Sequence, residues 1–108
     1  MKHTKSSSRK GDFAEYYAVT WLWDQGFEVF QNSGCSGLVD MIAMKDNKVI
    51  LIDVKTFYKR SDGQTVDMAK GIGLKVSQDR TSKQIKMGVK LLGFNPVSRK
   101  LRFVEHPK

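Results

Sequence analysis

Cysteine is almost missing from this chain: Cys35 is the only one in 108 residues, so neither an internal disulfide nor a multi-cysteine zinc site can form. It reads as a small loop residue. Histidine is nearly as scarce, and His3 and His106 fall near opposite ends, where neither is placed like a metal ligand. No stretch approaches the ~20 apolar residues that a membrane-spanning helix needs. The basic N-terminus also lacks the apolar region of a secretory signal. These absences lead us to expect an intracellular protein, cytoplasmic or nucleoid-associated, or in the host cell if phage-encoded. There are no internal repeats and no sign of a second domain. The expected organisation is a flexible basic arm over residues 1–9, with Lys2, Lys5, Arg9 and Ser6-Ser7-Ser8, and a single domain over 10–108. Acidic residues are in deficit, 11 against 19 Lys and Arg, giving a net charge of +8. A polyanion is the natural partner of such a surface, because each neutralised phosphate releases condensed counterions.

The informative stretch is a pair of apolar runs that carry charges where hydrophobic residues are expected. Val39-Asp40-Met41-Ile42-Ala43 is followed by Val49-Ile50-Leu51-Ile52-Asp53-Val54-Lys55. Both read as strands. Side chains alternate faces along a strand, so Asp53 and Lys55 share a face and Val54 points the other way. A hairpin turning at Asp46-Asn47 brings Asp40 near Asp53. Crowded carboxylates raise one another's pKa, and a buried unpaired charge costs several kcal/mol. A hard divalent cation relieves both problems, and Mg²⁺ typically takes one or two carboxylates together with a substrate phosphate. The constellation suits phosphodiester chemistry.

The surrounding elements are legible from periodicity. Phe13, Tyr17 and Trp21, with Ala14, Ala18 and Leu22, predict an amphipathic helix from about Lys10 to Gln25, ended by Gly26. Glu15 flanks its apolar stripe. Trp23 faces elsewhere and is expected at the surface, free to stack or to meet a second subunit. Phe27–Phe30 predicts a strand, and Asn32–Gly37 a loop leading into the Asp40 strand. Residues 56–79 form a polar, Gly-rich excursion with a hairpin of Thr65–Met68 and Leu74–Val76 about Gly71-Ile72-Gly73. Thr81-Ser82-Lys83-Gln84 fits a capping box opening a helix over Ser82–Leu92, with Ile85, Val89 and Leu92 buried and Gly88 close to the sheet. On that helix Lys83, Lys86 and Lys90 share a face, which is either simply solvated or a phosphate-contacting surface. Lys100–Glu105 alternates as a half-buried strand should.

An Asp on one strand followed by an acidic-x-Lys triplet on the next resembles the PD-(D/E)XK nuclease superfamily. Asp40 matches its first Asp, Asp53 its second acidic position and Lys55 its Lys. Arg9-Lys10-Gly11-Asp12-Phe13-Ala14-Glu15 looks like the opening helix of the archaeal-type Holliday junction resolvases in that superfamily, where a helical Glu completes the metal site. The Gly-Phe-x-Val-Phe strand and the Ser-Gly-x-Ser-Gly loop are also similar. Val39 departs from the Pro often found there, a residue that fixes backbone and supplies no ligand. The match is good over roughly the first half of the chain.

The resemblance implies an α/β fold with a restriction-endonuclease-like core: a mixed β-sheet flanked by helices in the order αβββ, excursion, αβ. It implies a Mg²⁺-dependent endodeoxyribonuclease, with Mn²⁺ as the alternative ion. Glu15, Asp40, Asp53 and Lys55 are the implied catalytic set, and the metal ligands would be Glu15, Asp40, Asp53 and the Val54 carbonyl. Arg9, Lys10, Lys59, Arg60, Lys83, Gln84, Lys86 and Lys90 are the expected nucleic-acid contacts. Gln84 is similar to a polar helical residue that often joins the active site in this superfamily, although its capping role explains it as well. The expected substrate is branched DNA such as a four-way junction, cut by a homodimer whose two-fold axis matches the two sites to two strands. A site-specific, homing or repair endonuclease is one alternative, and a non-catalytic nucleic-acid-binding module is another.

Overall fold

The computed structural model describes residues 6–34, 37–59, 65–67 and 80–104, with backbone alone for 6–11, 57–59 and 65–67. The elements run α1 (Ser6–Asp24), β1 (Glu28–Gln31), β2 (Met41–Lys45), β3 (Lys48–Lys59), β4 (Thr65–Asp67), α2 (Ser82–Met87), β5 (Lys90–Phe94) and β6 (Leu101–Phe103). The sheet is mixed. Its order is β1-β2-β3-β5-β6, with β4 paired to the far end of β3. All neighbours are antiparallel except β3 and β5, which run parallel and are joined by the crossover containing α2.

α1 lies across one face of this sheet. Ala14, Ala18 and Leu22 repeat every four residues and are fully buried. Ala18 and Leu22 meet Met41 and Ala43 of β2, Ile52 of β3 and Leu92 of β5, with Trp21, Phe27, Val29, Ile50 and Val54 packed around them. Small alanines let the helix approach the sheet closely, and the burial of Leu22, Met41, Ile52 and Leu92 contributes about 1.5–3 kcal/mol each. Trp23 projects to solvent as expected, being 60% exposed. α1 starts at Ser6 rather than at Lys10, so residues 6–9, expected in a flexible arm, belong to the helix.

The larger correction concerns residues 82–94. The expected helix to Leu92 stops at Met87, because Gly88 adopts a left-handed conformation (φ 78°) and its N–H closes on the carbonyls of Gln84 and Ile85. A side chain there would be strained by the backbone, not by neighbours, since nothing lies within 4 Å of its Cβ position. Gly88 therefore ends the helix rather than letting it approach the sheet. Val89 and Leu92 are buried, but in and beside β5, whereas Ile85 is 54% exposed. β5 is an interior strand buried on both faces, so its Leu91-Leu92-Gly93-Phe94 run lacks the alternation that marks a half-buried strand. Of the expected excursion hairpin, Thr65–Asp67 is a strand, but its partner is Phe57–Lys59 of β3. Leu74–Val76 and the Gly71–Gly73 turn lie outside the described residues.

Candidate active site

The β2–β3 hairpin turns at Asp46-Asn47, with Lys45 opposite Lys48 and Asp46 in a left-handed conformation (φ 55°). From that turn the register carries Met41 to Ile52. One step further it sets Asp40 beside Asp53, and the Asp40 N–H donates to the Ile52 carbonyl at 2.8 Å. Met41, Ala43 and Ile52 face α1, so the alternation sends Asp40, Asp53 and Lys55 to the opposite face.

Asp40 is anchored there by the backbone. Its Oδ2 accepts the Val54 N–H at 2.7 Å, a donor that has passed the end of β2 and has no strand partner on that side. Burial pushes the Asp40 carboxyl up to about 7, helped by a hydrogen bond with Asp53, opposed by the Val54 N–H, and raised further by the charges of Asp53 and Glu15. At neutral pH the Asp40 carboxyl is therefore only about half ionised. Glu15, from α1, is half-buried, and its carboxyl is raised first by burial and then by Asp12 and Asp53. Lys55 Nζ lies 3.6 Å from Asp53 Oδ2.

The loop before β2 and the start of α2 complete the surroundings. Asn32 donates through Nδ2 to the Val39 carbonyl at 2.9 Å and accepts the Gly34 N–H at 2.8 Å, pinning the loop ahead of Asp40. Gly37 is required at its position: φ is 148°, and a Cβ would stand 2.8 Å from Asn32 Nδ2. Gln84 is the one buried polar side chain among the described residues, at 5% exposure. The capping box forms as expected: Oε1 accepts the Thr81 N–H at 3.0 Å, and Thr81 Oγ1 accepts the Gln84 N–H at 3.2 Å. The amide nitrogen does something further. Nε2 donates to Asp53 Oδ2 at 2.9 Å and to the Leu38 carbonyl at 2.8 Å, linking α2, β3 and the Asp40 loop. This corrects the expectation of Gln84 as a nucleic-acid contact, since a side chain so buried holds the site from within. The sequence carried a hint: a capping-box Gln spends only its oxygen on the cap, so a buried one must find acceptors for two N–H donors.

The structure thus brings Asp40, Asp53, Lys55 and Gln84 together, with Glu15 within electrostatic reach. Among the described residues no three His, Cys, Asp or Glu side chains are gathered closely enough to hold a metal ion by themselves. The donor set nevertheless fits a hard cation that keeps most of its waters: two adjacent carboxylates, one pushed towards protonation by burial and by the other beside it. Lys83 and Lys86 lie exposed on α2. Lys90 is exposed too but belongs to β5, so the three do not form one helical stripe. The side chains of Arg9, Lys10 and Lys59, and the whole of Arg60, lie outside the described residues.

The profile of a family described as archaeal Holliday junction resolvase matches residues 6–71. That span takes in α1, the first three strands and all four residues of the Glu15, Asp40, Asp53 and Lys55 set. No curated protein matches the chain. Among solved structures, the bacterial homing endonuclease I-Ssp6803I is similar at a TM-score of 0.63 with 16% identity, over 92% of this chain and 65% of its own. The chain thus spans about two thirds of that enzyme's length, and the likeness shows a restriction-endonuclease-like α/β fold.

Proposed function

The chain belongs to the archaeal Holliday junction resolvase family of PD-(D/E)XK nucleases, and from that premise we propose that it is a divalent-metal-dependent endonuclease selective for branched DNA, acting as a homodimer. One observation carries the reading. Asp40 and Asp53 stand opposite each other at the end of β2, close enough to share a proton, with Lys55 Nζ 3.6 Å from Asp53. A binding-only module gains nothing from paired carboxylates beside a polyanion, because they repel the phosphates it must hold.

In this reading Asp40 and Asp53 hold one or two Mg²⁺ ions, with Mn²⁺ as the substitute, and Glu15 and the Val54 carbonyl supply further oxygens. The bound cation lowers the pKa of its water and neutralises charge on the phosphoryl oxygens. The chain's own groups do the rest. Val54 N–H fixes Asp40, Gln84 Nε2 fixes Asp53, and Lys55 Nζ orients the attacking water and offsets the charge that develops on the phosphate. Lys83, Lys86 and Lys90 contact the DNA backbone.

The test is cleavage of an end-labelled four-way junction beside a linear duplex of the same sequence, with Mg²⁺, Mn²⁺ or EDTA. Paired, symmetric cuts in the junction alone, abolished by EDTA and by Asp53→Asn, are expected. Cleavage that survives EDTA, or an Asp53→Asn protein that still cuts, overturns the site assignment. Cutting of the duplex favours the second reading, a site-specific endonuclease, which the likeness to a homing endonuclease keeps in view.

A further inference from the structure

The sheet register extends the charged face past Lys55. Along the parallel β3–β5 ladder Asp53 pairs with Leu91 and Lys55 with Gly93, and along the antiparallel β5–β6 ladder Gly93 pairs with Arg102. Paired residues project from the same face of a sheet. Lys55, Gly93 and Arg102 therefore form one row across three strands. The residues between them keep to the other face: Leu92 joins the core under α1, Phe94 stacks on Tyr17, and Phe103 of β6 packs on Trp21. On the site face Leu91 packs against Val104. Arg102 thus shares its face with Asp53 and Lys55, and α1 lies on the opposite one.

The fold makes no other use of this guanidinium. Arg80 donates to the Val89 carbonyl at 3.1 Å, and Arg99 lies over Phe13 and donates to Tyr17 Oη at 2.6 Å. Arg102 is exposed, and among the described residues it enters no ion pair, the one there being Lys55–Asp53. The middle of the row is occupied by Gly93, which is buried in the strand interior. No side chain of β5 therefore stands between Lys55 and Arg102, and an interior glycine is where another group can approach a strand closely. Two strand spacings put the Lys55 and Arg102 backbones about 10 Å apart, a span that two long side chains can close around a phosphate.

A guanidinium offers a planar fork of N–H donors that matches phosphate oxygens two at a time. Lys55 already leans on Asp53 at 3.6 Å, so Arg102 carries the uncommitted charge of the row. We infer that Arg102 holds the phosphate flanking the scissile one, laying the cleaved strand across β3, β5 and β6 so that the bond to be cut meets Lys55 and the Asp40–Asp53 pair. This deepens the nuclease reading and rests on it for the identity of the strand. Arg102 lies beyond residues 6–71, which the resolvase profile matches, so the assignment comes from the register alone. Charge on an edge strand such as β6 also deters edge-to-edge pairing. That role needs no DNA, and binding measurements separate the two.

The contact is tested on binding, apart from cleavage. Affinity of the full chain for a four-way junction and for a linear duplex is read by fluorescence anisotropy in EDTA over a series of salt concentrations. Arg102→Ala is expected to lose about tenfold in affinity at low salt and to reduce the slope of log affinity against log salt by about one. Arg102→Gln, which keeps most of the stem, is expected to match it, and Arg102→Lys to retain the slope while losing part of the affinity. Lys48→Ala removes an exposed charge on the α1 side of β3 and is expected to change neither. To locate the phosphate, an uncharged methylphosphonate replaces in turn each phosphate next to the mapped cut. At one position its cost to the native chain and the cost of Arg102→Ala should fail to add. Native affinity and slope in both Arg102→Ala and Arg102→Gln overturn the contact, and so does an equal loss from Lys48→Ala or costs that add at every position. If the native chain cuts no DNA with any metal but Arg102→Ala alone lowers the slope, the phosphate contact stands and the nuclease reading falls. If the native chain cuts and Arg102→Ala leaves the slope unmoved, only the contact falls.

Discussion

The two faces of β3 are built on opposite terms. Towards α1, Ile52 is fully buried and Val54 packs at the edge of the same core. Towards α2, Asp53 and Lys55 occupy the alternate positions, and the covering helix is only six residues long. The first face gains stability from every apolar contact. The second concentrates like charge, raises the Asp40 carboxyl to about 7 and relies on Gln84 to fix the geometry. Adjacent residues on one strand thus serve opposite ends, and the strand can afford the charged face because the apolar one is dry. The comparison makes a sharp demand: neighbouring substitutions on β3 should separate activity from stability.

The largest effect is expected at Asp53. Asp53→Asn keeps the shape, removes a charge and is expected to cut cleavage by about 10³-fold or more, with a melting temperature equal to or above that of the native chain. Ile52→Ala, one residue away, is expected to do the reverse. It leaves a cavity under α1 and costs about 2–5 kcal/mol, readable as a lowered denaturant midpoint, while the folded fraction retains its activity. An Asp53→Asn protein that melts well below the native chain would show that the charged face is structural, and the comparison would collapse.

Gln84 joins the two terms, so its effects should be mixed and intermediate. Gln84→Ala removes the Nε2 bonds to Asp53 and Leu38 together with half of the capping box. A loss of about 1–3 kcal/mol follows from the donors and acceptors left unpaired, with a fall in kcat of roughly tenfold as Asp53 loses its tether. Gln84→Glu separates the roles, because the shape and the Thr81 N–H acceptor remain while the donor to Asp53 becomes a further negative charge. Unchanged cleavage by Gln84→Glu would remove Gln84 from the positioning of Asp53.

Which of these features could be read beforehand follows from how local the physics is. Asp40, Asp53 and Lys55 stood out because a charge inside an apolar run violates the pattern around it, and the Asp46-Asn47 turn fixed their register. Ala14, Ala18 and Leu22 declared the buried face of α1 by their spacing alone. The segment after Gln84 misled because β5 is buried on both faces, and its continuous apolar run satisfies a helical period as readily as a strand. The decisive signal was Gly88, which can serve equally as a close-packing residue or as a left-handed stop. The second bond of Gln84 was hidden for another reason: its partners Leu38 and Asp53 are brought to it by the β3–α2–β5 crossover, and no spacing in the sequence encodes that distance.

The pH dependence of stability is the most direct probe of the charged face. The Asp40 carboxyl is held at about 7 in the folded chain, against 3.8 ordinarily. Between those values the folded chain holds a proton that the unfolded chain has released. Stability is therefore expected to fall as pH rises from about 4 to about 7, and to level off above that. Glu15, raised by burial and by Asp12 and Asp53, adds to the same slope. The measurement is the melting temperature of the native chain in EDTA between about pH 5 and pH 8, referred to that of Asp40→Asn. The difference between the two proteins should widen with pH as the native carboxyl ionises, and Mg²⁺ added at about pH 8 should narrow it by supplying the missing positive charge. A difference that stays constant across the range would mean that Asp40 ionises in the folded chain as easily as in the unfolded one. The alternate face of β3 would then carry no electrostatic strain for a cation to relieve.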